Sequence, residues 1–245
     1  MNTDHTQPDA AEVRAAFGLP DNARIVLTVA SMTEQKGHKH LLDAIPTVLA
    51  HEPDAHFVWV GEGPLEGELR RRAAQLGIDE RRLVFAGRRD DIPRLLAAAD
   101  LFVLPSLTND LPIPLLEAMA AGCAIVCTAV RGTHKVIEDE VNGRLVPPAN
   151  SAALATGIIE GLCHEESVRR WRKAARRKVQ QLFSAARLGR EMADVYETAT
   201  SRRTRQKGNM QRPLGAPAMP LGVLPQPPVL PGAGQGTAAY SAAAD

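Results

Sequence analysis

Three segments with glycines or polar side chains follow short apolar runs, and they carry the groups best suited to hold a phosphorylated ligand. In residues 30–37, Lys36 precedes a glycine and could approach a diphosphate as a point charge. In residues 60–64, Gly61 and Gly63 permit positive φ and a close approach of the backbone to a ligand. Taken alone, the first segment is more typical of a solvated turn, and the second is equally typical of an ordinary strand-to-helix turn.

The third segment, residues 104–122, carries the strongest signal because an apolar run ends there, a polar loop follows and a helix begins. The first amide groups of a helix have no acceptor within it, so they can bind a phosphate. Glu117 lies in an otherwise apolar stretch, where a carboxylate is costly unless hydrogen-bond donors reach it. The hydroxyls of a ribose would serve as donors, and a buried arginine is the alternative.

Short β-rich apolar runs alternate with amphipathic helical stretches along most of the chain. We expect strands at residues 24–30, 56–60, 83–86, 101–104, 124–128 and 143–146. We expect helices at residues 40–50, 65–76, 92–99, 114–122 and 151–200, with a helical turn at 134–138. This alternation predicts an α/β fold with a Rossmann-like, doubly wound parallel sheet. Ligands of such sheets bind at the carboxyl ends of the strands, where the three segments would meet.

Composition narrows the functional classes. The chain has 245 residues, 44% of them hydrophobic, which suffices for one substantial domain. A formal net charge of +1 gives no reason to expect nucleic acid as the main ligand. The three cysteines lack zinc-ligand spacing, and we interpret them as small buried hydrophobes of a reducing compartment. Without a signal-peptide core or a run long enough to be a transmembrane segment, the expected location is cytoplasmic.

Domain organisation follows from changes in composition. We expect a flexible N-terminus at residues 1–12, a single folded domain at 13–200 and a disordered tail rich in Pro, Gly and Ala at 201–245. Within the last helical stretch, residues 169–178 are strongly basic. We interpret this segment as a solvated helix face rather than a surface for membranes or nucleic acid.

Seven short motifs follow one another along the chain. They are FGLP at 17–20, KG at 36–37, VGEGP at 60–64, FAG at 85–87, ADLFVLPS at 99–106, LEAMA at 116–120 and NGRLVP at 142–147. In this order they resemble the C-terminal, donor-binding domain of the family 4 glycosyltransferases, which have the GT-B fold. The resemblance runs from about Ala15 to Tyr196.

The resemblance implies that the domain binds a nucleotide-diphosphate sugar, without a metal cofactor, for retaining glycosyl transfer. Lys36 would bind the diphosphate, Glu117 the ribose, and the backbone of residues 85–88 the base, while the loop at 108–113 would face sugar and phosphates. The implied donor-binding residues are Ser31, Lys36, Gly61, Gly63, Gly87, Arg88, Thr108, Asp110, Leu111, Ile113 and Glu117. The implied catalytic residues are Asn109 and Glu117.

Three positions depart from the family pattern. Ser31 stands where an arginine is usual, Asn109 where the first glutamate of a pair is usual, and Lys135 where a glutamate is common. The family's N-terminal, acceptor-binding half has no counterpart in this sequence. We therefore expect the donor half of a transferase that is completed by a separate acceptor-domain subunit. The alternatives are a non-catalytic nucleotide-sugar-binding or regulatory module, and a truncated gene product.

Overall fold

A computed structural model describes residues 10–108 and 112–182 of the chain. The strands are β1 (Arg24–Val29), β2 (Ala55–Val60), β3 (Leu83–Phe85), β4 (Leu101–Leu104), β5 (Ala124–Thr128) and β6 (Arg144–Val146). The α-helices are α1 (Ala10–Ala16), α2 (His38–His51), α3 (Glu66–Gln75), α4 (Ile92–Ala98), α5 (Ile113–Ala121), α6 (Ser151–Cys163) and α7 (Glu165–Leu182). Short 3₁₀ turns lie at Glu34–Lys36 and Thr133–Lys135.

The strands form one sheet in the order β3-β2-β1-β4-β5-β6, and every neighbouring pair is parallel. The predicted doubly wound α/β fold is confirmed. β1 pairs with β2 along its whole length, from Arg24 opposite Ala55 to Val29 opposite Val60. Because all strands are parallel, their carboxyl ends and the loops that follow lie along one edge of the sheet.

Alternate residues of each strand enter two cores, one on each face of the sheet. Helices α2, α3 and α6 cover the first face, over side chains such as Val26, Trp59 and Val126. Helices α1, α4 and α5 cover the second, over side chains such as Leu27 and Ile125. Helix α7 contributes to both cores, so it crosses from one face of the sheet to the other.

Element boundaries differ from the prediction in a few places. Helix α2 begins two residues earlier than expected, immediately after Gly37, whose φ of 66° is left-handed. Helix α1 was not predicted at all. The helix expected over residues 151–200 is interrupted at His164, which has a non-helical φ and ψ and divides it into α6 and α7. Gly122 ends α5 in a left-handed conformation, as predicted from its position.

The interpretation of all three cysteines as buried is wrong for one of them. Cys123 and Cys127 are buried in the second core, but Cys163 is exposed and donates to the Glu52 carboxylate at 2.8 Å. Partial burial and this neighbouring carboxylate raise the pKa of the Cys163 thiol to about 11. The sequence did not reveal this difference, because the exposure of Cys163 follows from its position on the last turn of α6.

Most basic residues of α7 are exposed, as expected, although Arg172 and Lys178 are half-buried, and the apolar residues of the helix pack inward. The inward residues are Val168, Trp171, Ala175 and Val179. Within residues 10–108 and 112–182, no helix is long and apolar enough to cross a membrane. Residues 1–9 and 183–245 lie outside the described residues. The flexible N-terminus expected at residues 1–12 overlaps α1 at residues 10–12. Its remainder, the end of the expected folded domain at 183–200 and the disordered tail at 201–245 stay predictions.

Asp100 joins the two halves of the sheet at its amino edge. Its carboxylate accepts a hydrogen bond from the Ile25 amide at 2.8 Å, and its own amide donates to the Ile25 carbonyl at 3.0 Å. Arg172 of α7 donates to the Asp100 carbonyl at 2.6 Å. Asp100 therefore links β1, β4 and α7.

We expect Asp100→Ala to lower the free energy of unfolding by about 1–3 kcal/mol, because the buried Ile25 amide loses its acceptor. Asp100→Asn keeps an acceptor oxygen and should cost less. Urea unfolding monitored by circular dichroism measures both, with exposed Asp21→Ala as the control. Equal stability of Asp100→Ala and Asp21→Ala would contradict this account.

Candidate functional site

The strand order places a crevice at the carboxyl edge of the sheet, between β1 and β4. The loop after β1 leads to α2 on one face, and the loop after β4 leads to α5 on the opposite face. Loops that leave in opposite directions cannot fill the space between them, and ligands of open α/β sheets bind at this point. The loops after β2, β3, β5 and β6 border the same edge.

Glycines allow the loops at this edge to touch one another. A Cβ at Gly37 would lie 2.0 Å from the Pro105 carbonyl oxygen, and one at Gly61 would lie 2.1 Å from that of Ala30. At Gly63 the corresponding distance, to the Met32 oxygen, is 2.4 Å. Glycine is therefore required at positions 61 and 63 to let the protein's own loops come together, a reason that the sequence did not predict. Only Gly61 of the pair has positive φ.

A cavity of about 730 Å³ lies beside the end of β5, and we call it the β5-side cavity. Its lining residues are Gln35, Lys36, Leu107, Thr108, Ala129, Val130, Arg131 and Pro148. Two of these carry a positive charge and none carries a negative charge, so the cavity favours an anionic ligand. The sequence predicted Lys36 and Thr108 but not Arg131, which precedes Gly132 on the loop after β5 and belongs to none of the seven motifs.

A second cavity of about 430 Å³ lies beside the end of β2, and we call it the β2-side cavity. Its lining residues are Val29, Ala30, Ser31, Val60, Gly61, Glu62, Arg88, Arg89, Ile92 and Pro114. The mostly apolar walls and few polar groups suit a planar organic ligand. Arg89 donates to both oxygens of Asp91 at 2.8 and 2.7 Å and lowers the pKa of that carboxyl.

The predicted binding residues therefore divide between two cavities at one edge. Lys36 and Thr108 line the β5-side cavity, whereas Ser31, Gly61 and Arg88 line the β2-side cavity. Gly87 does not line the β2-side cavity, but its carbonyl accepts a hydrogen bond at 2.8 Å from the amide of Gly61, which does. Gly63 lines neither cavity. Asn109, Asp110 and Leu111 lie outside the described residues.

Glu117 is exposed, so the expectation of a buried carboxylate is wrong. Its apolar neighbours in sequence point to other sides of α5. Glu117 lies three residues after Pro114, which lines the β2-side cavity, and residues at this spacing share a helix face. The carboxylate is therefore on the side of α5 that borders that cavity.

The first turn of α5 offers fewer free amides than the sequence suggested. The amides of Leu115 and Leu116 donate to the Pro112 carbonyl at 3.1 and 3.4 Å, and Pro114 has no N–H. Among the described residues, the amide of Ile113 has no acceptor, and this residue is 69% exposed. One amide, rather than a set, is thus available at this helix terminus.

His38 is a buried residue beside the site that sequence reasoning did not identify. It begins α2 and lies edge-on to Trp59, with ring centroids 5.0 Å apart. Burial, with a smaller contribution from the Lys36 charge, lowers the pKa of His38 to about 4. His38 is therefore neutral at physiological pH, and Lys36 is the cation at this loop.

Residues 9–178 match the family model described as glycosyl transferases group 1. The chain belongs to this family. The resemblance inferred from the motifs is thereby confirmed. Within residues 10–108 and 112–182, no three His, Cys, Asp or Glu side chains converge in a way that could hold a metal ion.

Curated relatives include an uncharacterized glycosyltransferase of Methanocaldococcus jannaschii, 32% identical over 188 residues, with 76% of this chain and 48% of the relative covered. A putative glycosyltransferase of Bacillus subtilis, EpsD, is 31% identical over 211 residues, with 84% and 55% covered. The chain spans about half the length of the curated relatives it matches.

Solved structures show the same fold. HepE from Anabaena, crystallised with UDP and glucose, has a TM-score of 0.69 at 26% identity, with 78% of this chain and 52% of HepE covered. The C-terminal domain of LpcC from Francisella tularensis has a TM-score of 0.63 at 23% identity, with 72% of this chain and 92% of that domain covered. The chain thus matches, in fold, one domain of such an enzyme.

We expect Gly61→Ala to lower the free energy of unfolding by about 2–4 kcal/mol, because its Cβ would collide with the Ala30 carbonyl and φ is unfavourable. Gly67→Ala in α3 meets no close backbone atom and should raise stability by about 0.4–1 kcal/mol. Urea unfolding of both variants provides the comparison. Tolerance of alanine at position 61 would show that the loops are not in contact there.

Proposed function

We propose that this domain binds a nucleotide-diphosphate sugar across the two cavities and is the donor half of a retaining glycosyltransferase. The observation that carries the proposal is the pairing of a cation-lined cavity with a largely apolar one, on the two sides of the crevice between β1 and β4. Family membership supports it, as do the complexes of HepE with UDP and with UDP-glucose.

The nucleoside belongs in the β2-side cavity. Val29, Val60 and Ile92 give the base an apolar wall, and the exposed Arg88 can stack on it or donate to it. Glu117, on the adjoining face of α5, can accept hydrogen bonds from the two ribose hydroxyls. Because its carboxylate is exposed, it stays hydrated in the free protein and needs no internal partner there. Uracil is the base to test first because the HepE complexes contain UDP.

The diphosphate and sugar belong toward the β5-side cavity. Lys36 neutralises charge on the departing diphosphate, and the Ile113 amide adds a hydrogen bond. Stabilisation by side chains and this single amide makes a metal unnecessary in this proposal, so activity should survive chelation. In retention, the acceptor oxygen bonds to the anomeric carbon on the face from which the phosphate oxygen leaves, and the acceptor's proton passes to that oxygen.

Transfer also requires an acceptor held against the donor. Because this chain covers about half of its relatives, we propose that an acceptor-binding domain in addition to this one completes the enzyme. A non-catalytic nucleotide-sugar-binding module is the second candidate. Ser31 favours it, because a hydroxyl lines the β2-side cavity where the family resemblance leads us to expect a guanidinium. Transfer on addition of an acceptor domain would exclude the second candidate.

Calorimetric titration with UDP, GDP and ADP tests donor binding. We expect one nucleotide to bind and Glu117→Ala to weaken its binding by about 1–3 kcal/mol, since charged hydrogen bonds to the ribose are lost. The 2′-deoxynucleotide should bind wild type less tightly than the ribonucleotide, and Glu117→Ala should remove that difference.

Glu165→Ala is the matched control, because Glu165 is an exposed glutamate at the start of α7, outside both cavities. Equal affinity of wild type and Glu117→Ala would remove the ribose assignment. Absence of binding by the folded wild-type domain to every nucleotide would contradict the proposed function.

A further inference from the structure

Arg131 and Lys36 are the charged residues of the β5-side cavity. They come from loops on opposite sides of the crevice between β1 and β4. Lys36 is half-buried at the end of the turn after β1, and Arg131 is exposed on the loop after β5. Among the described residues, neither side chain has an acidic partner. By contrast, Arg72, Arg89 and Arg144 are all held in ion pairs.

The loop that carries Arg131 is fixed by a buried hydroxyl. Thr133 is fully buried, and its Oγ1 lies 2.6 Å from the Thr128 carbonyl oxygen and 2.9 Å from that of Val130. The Val130 amide in turn donates to the Thr133 Oγ1 at 3.0 Å. A side chain on a backbone held in this way loses less entropy when it binds a ligand.

A second contact ties this loop to the one that follows β4. The Thr128 hydroxyl is buried and donates to the Ser106 carbonyl. Leu107 and Thr108 come next in the chain and line the same cavity as Arg131. Arg131 therefore lies on a cavity wall whose backbone is held by hydrogen bonds within its own loop and to the loop after β4, rather than on a free surface turn.

Charge balance in the proposed donor complex calls for a second cation. A diphosphate carries more negative charge than Lys36 alone neutralises, and the position where the family resemblance predicts an arginine is Ser31. Ser31 has no charge and lines the other cavity. A guanidinium binds phosphate through two parallel N–H donors, which a lysine ammonium cannot reproduce.

Resting on the proposed function, we propose that Arg131 is the second cationic ligand of the donor's diphosphate and binds its distal phosphate together with Lys36. In this role Arg131 is a binding residue, because it holds the distal phosphate, which leaves with the nucleoside diphosphate when the sugar is transferred. It explains how the site can neutralise a diphosphate with serine at position 31.

The experiment compares Arg131→Gln and Arg131→Lys with wild type in calorimetric titrations with UDP, UMP and UDP-glucose. We expect Arg131→Gln to weaken UDP and UDP-glucose binding at least about tenfold and to change UMP binding less than about twofold, since UMP lacks the distal phosphate. Arg131→Lys should recover part of the loss. Lys135→Gln, which removes an exposed charge from the same loop but not from the cavity lining, should change UDP binding less than about twofold.

Unchanged UDP affinity in Arg131→Gln would overturn the inference, and so would an equal loss for UMP. Equal losses in Arg131→Gln and Lys135→Gln would show a general effect of charge and would also overturn it. A loss confined to UDP-glucose would assign Arg131 to the sugar instead. The thermal unfolding midpoint of each variant identifies any loss of fold. If the wild-type domain binds GDP or ADP instead of UDP, the monophosphate, diphosphate and sugar nucleotide of that base replace the uridine ligands. If it binds no nucleotide, both the inference and the proposed function fail.

Discussion

β1 and β4 are the neighbouring parallel strands at the centre of the sheet, and later strands are added outward from them in both directions. The pairing is short, with Val26 opposite Leu101 and Leu27 opposite Phe102, and Asp100 extends it at the amino edge. Because the order of strands reverses here, the loops at the carboxyl edge diverge and leave a crevice. The loop after β1 lines both cavities, with Lys36 in one and Ser31 in the other.

Close packing of loop backbones converts the crevice into defined cavities. Gly37 and Gly61 bring the turns after β1 and β2 against neighbouring carbonyl groups, so little flexible surface remains between them. This edge then presents, on one side, a cavity lined by two cations and no anion and, on the other, a cavity whose walls are largely apolar. This division matches a nucleotide sugar, whose base favours an apolar surface and whose diphosphate favours positive charge.

The sequence predicted the sheet well because continuous apolar runs bounded by turn residues are the signature of strands buried on both faces. It predicted Lys36 and Thr108 at the site because both follow strands at the carboxyl edge. It misjudged Glu117, since apolar neighbours along a helix do not share its face. It also missed Arg131, whose proximity to Lys36 arises only when the ends of β1 and β5 are brought to one edge.

A crystal structure of the protein with bound UDP tests the central claim most directly. We expect the uracil in the β2-side cavity near Ile92 and Arg88, with the diphosphate directed toward Lys36 at the β5-side cavity. UDP bound in the reverse orientation, or at the amino edge of the sheet, would contradict the claim that both cavities form one donor site.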